Sequence, residues 1–190
     1  LKIQDGCSQF CSYCIIPYAR GPIRSRAPQD VIAEVKRLAE NGFREVVLTG
    51  IHVASYGKDR KDITLTEIIQ QVHAVEGIER IRFSSIEPNV VTEEFAQAMA
   101  ALPKVCDHFH LSLQSGCDKT LEQMRRRYDT AQYRRAVALL RKYLPDVALT
   151  TDIIVGFPGE SEQDYQQSKA FAEEIGFSKI HVFPYSPKKG

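Results

Sequence analysis

Three cysteines, Cys7, Cys11 and Cys14, fall within the run Gly6-Cys-Ser-Gln-Phe-Cys-Ser-Tyr-Cys-Ile-Ile-Pro17, a C-x3-C-x2-C spacing that gathers three thiolates on one short loop. A zinc site that staples a fold closes with four ligands, commonly as two C-x2-C type pairs. No fourth Cys or His lies near this loop in the sequence. The set therefore suits an iron-sulfur cluster with one iron left open to a small molecule, while a zinc knuckle or a group of buried thiols is the bland alternative. An open metal position is a place for chemistry rather than a staple.

The scaffold behind the loop is legible as alternation. Short β-branched runs near Lys2-Gln4, Glu45-Thr49, Arg80-Ser84, His108-Leu113, Ala148-Val155 and Lys179-Phe183 alternate with amphipathic stretches, the pattern of six βα units around a parallel sheet. Pro28 opens a helix with Val31, Val35, Leu38 and Ala39 on one face, and Asn41-Gly42 ends it. Thr64-x-x-Glu67 and Ser161-x-x-Asp164 have capping-box form, Thr92 can cap a third helix, and residues 118–143 supply two further helical pieces.

Such units build either a doubly wound sheet or a partial barrel. Side-chain chemistry separates the two. In Asp107-His-Phe-His-Leu-Ser-Leu-Gln114, Phe109, Leu111 and Leu113 share one face while His108, His110, Ser112 and Gln114 share the other. A central strand of a doubly wound sheet is apolar on both faces. Arg82 with Ser84, and Thr150 with Asp152, repeat the polar face. The expected architecture is α/β, an open partial (β/α)6 TIM-like barrel of parallel strands with helices outside and a polar cavity inside.

The 190 residues, 43% of them hydrophobic, suffice for one full core. Apolar runs such as Val46-Val47-Leu48 are far shorter than the ~20 residues that cross a bilayer. With no signal peptide and three of five cysteines in one metal-like cluster, a reducing cytoplasm is expected. A formal net charge of +1 provides no global field for nucleic acid. The start at Leu1 without Met and the basic, turn-rich Ser186-Pro-Lys-Lys-Gly190 read as one domain, residues 1–190, of a longer protein, ending in a linker.

With Tyr13 directly before the last cysteine, the loop resembles that of the radical S-adenosylmethionine (SAM) superfamily, C-x3-C-x-aromatic-C. The resemblance implies that Cys7, Cys11 and Cys14 bind a [4Fe-4S] cluster whose free iron chelates SAM, and that electron transfer cleaves SAM to a 5′-deoxyadenosyl radical. No catalytic residue beyond these ligands is implied. In parallel barrels reactive groups gather at the C-terminal strand ends. By resemblance the cofactor-binding candidates there are Tyr13, Gly50, Ser84, Gln114, Asp152, Ile154 and Gly156. Gly50 stands where the superfamily has a Gly-rich turn that binds the amino group of SAM, without its usual acidic residue, and His52 beside it is a further candidate whose alternative is loop packing. Ile154 and Gly156 lie where a backbone segment meets adenine, with Tyr13 and the Phe183-Pro184 backbone as further wall. In Ser84-Ser-Ile-Glu-Pro88 the hydroxyls and carboxylate suit ribose or the methionyl group. Arg20, Arg24 and Arg26, following the loop, either grip substrate phosphate or carboxylate or are ordinary surface charges. Arg125-Arg-Arg127 reads as a solvated helix face, and Cys106 and Cys117 as buried or half-buried thiols.

Four longer segments, Cys14-Ile-Ile-Pro-Tyr-Ala-Arg-Gly-x-x-x-Ser-Arg26, Leu48-Thr-Gly-Ile-His-Val-Ala-Ser-Tyr-Gly57, His110-Leu-Ser-Leu-Gln-Ser-Gly-Cys117 and Thr151-Asp-Ile-Ile-Val-Gly-Phe-Pro-Gly-Glu160, look like the methylthiotransferases within that superfamily. Ser85-Ile-Glu-Pro88 and Cys117 are similar to the branch that modifies N6-threonylcarbamoyladenosine at tRNA position 37; the isopentenyladenosine and ribosomal protein S12 branches are the alternatives. The resemblance implies C2 methylthiolation of adenine with SAM as methyl donor and radical source, chemistry that acid-base catalysis does not reach. It also implies a second [4Fe-4S] cluster in an N-terminal domain, a C-terminal TRAM domain that grips RNA, and an electron donor such as flavodoxin or ferredoxin. The competing reading is a non-catalytic metal-binding module that senses redox state or scaffolds RNA.

Overall fold

The computed structural model describes residues 1–187. In chain order it contains β1 (Lys2–Asp5), α1 (Ile16–Arg20), β2 (Arg24–Ser25), α2 (Pro28–Glu40), β3 (Glu45–Gly50), α3 (Leu65–His73), β4 (Arg80–Phe83), α4 (Glu93–Ala100), β5 (His108–His110), α5 (Asp118–Gln123), α6 (Thr130–Tyr143), β6 (Ala148–Val155), α7 (Glu162–Ile175) and β7 (Lys179–Pro184). Four of the helices start where the sequence provides an acceptor for the free N–H groups of the first turn. Thr64 and Ser161 each form reciprocal capping boxes with the residue three on, and the Thr92 hydroxyl accepts from Phe95 N–H. A further box, Asp129 with Gln132, opens α6. Each such cap is worth about 1 kcal/mol. Ser186 and Pro187 are exposed, and the rest of the expected linker lies outside the described residues.

All six expected strands form, and all run parallel. Two ladders, β2-β1-β3-β4 and β5-β6-β7, meet at a seam where Ile81 pairs with Val105 and Ile86 with Leu111. Ile86 N–H donates to His110 O and Ser112 N–H to Ile86 O, each at 2.9 Å. The parallel order is thus β1-β3-β4-β5-β6-β7, and among the described residues no ladder joins β7 back to β1. This is the open barrel. The added strand, β2, lies antiparallel to β1. It is short and carries no alternating pattern; Ser25 holds it through bonds to Asp59, from the backbone N–H at 2.9 Å and the hydroxyl at 2.5 Å.

The regular ladder of β5 stops at His110, short of the expected Leu113. The Thr151 hydroxyl interrupts the ladder, accepting Leu113 N–H at 2.9 Å and donating to Leu111 O at 2.7 Å, and Gln114, with a left-handed φ of 67°, makes one further bridge to Ile153. Outward-facing Ile3, Leu48, Ile81, Phe109 and Leu149 are buried against Val31, Ile68, Phe95, Tyr133 and Leu140 of the helices. On the inward face, Thr150 Oγ1 meets His110 Nδ1 at 3.0 Å and His108 Nε2 at 3.2 Å, and His110 Nε2 stands 3.2 Å from Asp152 Oδ2. Burying apolar groups outside and satisfying polar groups inside fixes which way each strand faces.

Gly6 at the top of β1 has φ +72°, and a Cβ there would lie 1.8 Å from Pro22 O. Gly6→Ala is expected to lower stability by about 2–4 kcal/mol through backbone strain and overpacking, read as a shifted urea midpoint with unchanged slope.

Candidate functional site

The cysteine loop is positioned by one buried side chain at its root. Gln4, 1% exposed, donates from Nε2 to Asp5 O and Gly6 O at 2.7 Å, and its Oε1 accepts His52 N–H at 2.8 Å. It ties the ends of β1 and β3 to the start of the loop. A Cβ on Gly50 would stand 2.7 Å from Gln4 Oε1, so Gly50 makes room for Gln4. Further along, Cys7 N–H bonds Gly21 O at 3.0 Å and Ser12 N–H bonds Met124 O at 3.1 Å. Ser12 Oγ donates to Gln123 O at 2.8 Å, and Arg127 Nη2 donates to Ser8 O at 2.9 Å. The loop is laced to the α1–β2 turn on one side and the α5–α6 turn on the other.

Cys7, Cys11 and Cys14, all free and partly buried, open into one cleft of about 160 Å³ together with Tyr13, Glu87 and Arg126. Burial pushes the Cys7 thiol up, as do the neighbouring thiols, so a metal that favours thiolate would release protons on binding. Among the described residues no group of three or more Cys, His, Asp or Glu side chains is gathered closely enough for one metal ion. A single Zn²⁺, bonded to sulfur at about 2.3 Å, requires such convergence. A cluster does not, because each thiolate meets its own iron. The three thiols on one cleft, with no fourth there among the described residues, fit a [4Fe-4S] group with one open iron.

Behind the thiols runs a buried charged network. Arg126 and Glu87 side chains are 7% and 8% exposed, and Nη2 meets Oε1 at 2.6 Å. The other carboxylate oxygen accepts from Gln9 Nε2 at 3.0 Å and lies 3.1 Å from His52 Nε2. Arg126 Nε donates to Tyr128 OH at 3.1 Å, and Nη1 to Cys11 Sγ at 3.3 Å and Tyr13 OH at 3.4 Å. Burial alone would raise the Glu87 carboxyl, but the His52 bond and the Arg126 cation outweigh it and hold the pKa below the usual range. Arg126 corrects the expectation of a solvated helix face for Arg125-Arg-Arg127. The three residues form the turn after α5, where Arg125 takes a left-handed φ of 56°. Met124, Arg126 and Tyr128 then alternate inward while Arg125 and Arg127 stay exposed. In the sequence Met124 and Tyr128 flank three identical residues, and no local pattern separates Arg126 from its neighbours.

The remaining candidates are spread around the strand ends and the scaffold. Tyr13 packs edge-on against Phe157 at 6.3 Å and Phe157 against Tyr185 at 5.3 Å, an aromatic wall at the ends of β6 and β7. Ile154 N–H bonds Gln114 O, Gln114 N–H bonds Asp152 O, and the side of Gly156 where a Cβ would project is open. Ser85 lines the cleft, whereas Ser84 is held by its backbone to Leu48 O. Asp152 lies lower in the barrel on His110. Arg20 is exposed, while Arg24 pairs with Asp5 at 3.6 Å and Arg26 with Glu34 of α2 at 2.7 Å. Those two arginines are thus engaged with the scaffold. Phe183 is half exposed, Cys106 sits by the β4–β5 seam, and Cys117 is buried 3.4 Å from Gln167 Oε1.

The family described as the radical SAM superfamily matches residues 1–172. The whole chain is 44% identical to the threonylcarbamoyladenosine tRNA methylthiotransferase MtaB of Bacillus subtilis, covering 42% of it. It is 48% identical to the tRNA-2-methylthio-N(6)-dimethylallyladenosine synthase of Caldicellulosiruptor saccharolyticus, covering 41% of that protein. The chain therefore spans about two fifths of these relatives. Among solved structures, the radical SAM methyltransferase TsrM of Kitasatospora setae, with cobalamin and a [4Fe-4S] cluster bound, superposes with a TM-score of 0.77 at 20% identity over 97% of this chain and 36% of that one. Methylornithine synthase superposes at 0.68 and 15% identity over the whole chain and 53% of its own length.

Glu87→Gln keeps the shape and removes the charge facing Arg126. Stability at pH 7 is expected to fall by about 3–5 kcal/mol, the cost of leaving one member of a buried pair uncompensated. Because the folded carboxyl has a depressed pKa, its contribution is complete above the unfolded value and disappears as pH falls through the folded one. The gap between wild type and variant in urea midpoints should accordingly close on acidification.

Proposed function

The chain belongs to the radical SAM superfamily, and from that premise we propose that residues 1–190 are the SAM-cleaving domain of a tRNA methylthiotransferase. The observation that carries the reading is the convergence of Cys7, Cys11 and Cys14 with the buried Glu87–Arg126 pair on one cleft, in a chain 44–48% identical throughout to enzymes named for that activity. When bound, a [4Fe-4S] cluster on the three thiolates supplies one-electron cleavage of SAM, and so access to an unactivated C–H bond.

The chain's own residues bind and orient. Glu87 and Arg126 neutralise each other at the cleft, and with their remaining atoms held by His52, Gln9, Tyr128, Tyr13 and Cys11 they fix its wall rather than grip a ligand's charges. Their burial keeps water from loosening that wall. The Tyr13, Phe157 and Tyr185 wall presents ring edges and faces to a purine. The open side of Gly156 and the backbone of Ile154 and Gln114 give adenine a flat approach, while Gln4 and Gly50 hold the loop and act indirectly.

We assign N6-threonylcarbamoyladenosine at tRNA position 37 as the substrate because Ser85-Ile-Glu-Pro88 and Cys117 resemble that branch and MtaB matches along the whole chain. In this reading the second cluster and most of the RNA contacts belong to the part of such enzymes that the chain does not span. The electron donor is a flavodoxin or ferredoxin, and the compartment is the cytoplasm. No described helix is long and apolar enough to cross a membrane.

Anaerobic reconstitution with iron and sulfide, followed by dithionite and SAM, is expected to yield 5′-deoxyadenosine by mass spectrometry. Cys7→Ala, Cys11→Ala and Cys14→Ala should each reduce cluster and product together to background. A cluster with no product from the reconstituted wild type would instead support a non-catalytic module. For the substrate, this chain exchanged for the corresponding segment of MtaB should restore 2-methylthio-N6-threonylcarbamoyladenosine to tRNA of a strain lacking that enzyme; the methylthiolated isopentenyl nucleoside in its place would reassign it.

A further inference from the structure

Arg126 uses each side of its guanidinium. Nη2 is neutralised by Glu87, Nε is held by Tyr128 OH, and Nη1 faces Cys11 Sγ and Tyr13 OH. Its carbon also lies 4.9 Å from the centre of the Tyr128 ring. Tyr128 is itself fixed, donating to Ser112 O and Leu113 O at 2.8 Å. A guanidinium needed only to balance Glu87 would not require a thiol on its remaining edge. Among the described residues, no other side-chain donor bonds Cys7, Cys11 or Cys14.

We propose that Arg126 is a positioning residue for the metal centre: its clamped guanidinium donates Nη1–H to the Cys11 sulfur, holds that ligand in place and raises the reduction potential of the bound cluster. The inference rests on the assignment of the three cysteines as cluster ligands. An added electron makes the cluster more negative, and a fixed cation beside one ligand sulfur favours the reduced form more than the oxidised one. Burial limits solvent screening of that effect. Glu87 acts in the opposite sense, because its carboxylate attenuates the guanidinium field. Charge-removing changes at the two partners must therefore shift the potential in opposite directions, which a purely architectural pair would not do.

The test is an EPR-monitored redox titration of the reconstituted 190-residue chain without SAM, with dithionite as reductant. In Arg126→Gln the reduced-to-oxidised ratio at fixed potential is expected to fall about tenfold, a downward shift of 59 mV for a one-electron couple. Arg126→Lys, which keeps the charge without the fork, should fall between that variant and wild type. Glu87→Gln should shift upward, and Arg125→Gln, on the exposed neighbour, should match wild type. Equal potentials in wild type, Arg126→Gln and Glu87→Gln, or shifts of the same sign in both variants, would overturn the inference. If Arg126→Gln assembles no cluster, Arg126→Lys and Glu87→Gln decide by the same signs. A wild-type chain that assembles no cluster overturns the ligand assignment first, an outcome distinct from a normal cluster whose potential ignores Arg126.

Discussion

The buried ion pair between Arg126 and Glu87 joins the segment after β4 to the turn after α5 beside the cysteine loop, where the bonds between these segments that the pair itself does not make are to backbone. Glu87 follows β4, Arg126 sits in the turn after α5, and Cys11 lies on the loop after β1. Their contacts close a cleft from three segments distant in sequence. Removing two ions from water costs several kcal/mol each, and their attraction repays that only with good geometry and satisfied remaining atoms. Here His52, Gln9, Tyr128, Tyr13 and Cys11 take up the remaining positions around the pair. Because breaking one side of a buried pair costs about 3–5 kcal/mol, the cleft is set by an arrangement that resists partial disassembly.

That arrangement depends on a sheet with two unlike faces. Outward side chains are aliphatic and aromatic and pack under the helices; inward ones are Gln, His, Thr and Asp, with His108 and His110 both bonded to the Thr150 hydroxyl. An open barrel satisfies both demands at once, keeping polar groups hydrated or paired without exposing the apolar face. Gln4 belongs to the polar face and is nonetheless almost fully buried, since it spends its carboxamide on three backbone groups around the loop root. The loop thus inherits the rigidity of β1 and β3, which suits ligands that must keep their spacing as a cluster changes charge.

Much of this was legible in the sequence because local rules and tertiary demands agreed. The six strands and the Thr64, Thr92 and Ser161 caps follow from period and hydrogen-bonding chemistry over a few residues. The cysteine spacing pointed to its ligand type for the same reason, since all three thiols lie within eight residues. Gly50 was legible only as a position needing space; the occupant, Gln4, is 46 positions away and no local pattern names it. Arg24 and Arg26 looked available beside the loop, yet Asp5 and Glu34 engage them once β1 and α2 pack together.

The sequence by itself determined the six parallel-sheet strands, their inward and outward faces, and the gathering of three thiols on one short loop, because each depends on neighbours within a turn or a strand. Tertiary structure alone decided which charges became part of the cleft. Within one run of three arginines, a left-handed residue at Arg125 sends Arg126 into the interior and leaves its neighbours in solvent. That choice is favourable only because Glu87, 39 positions earlier, is already there to neutralise it.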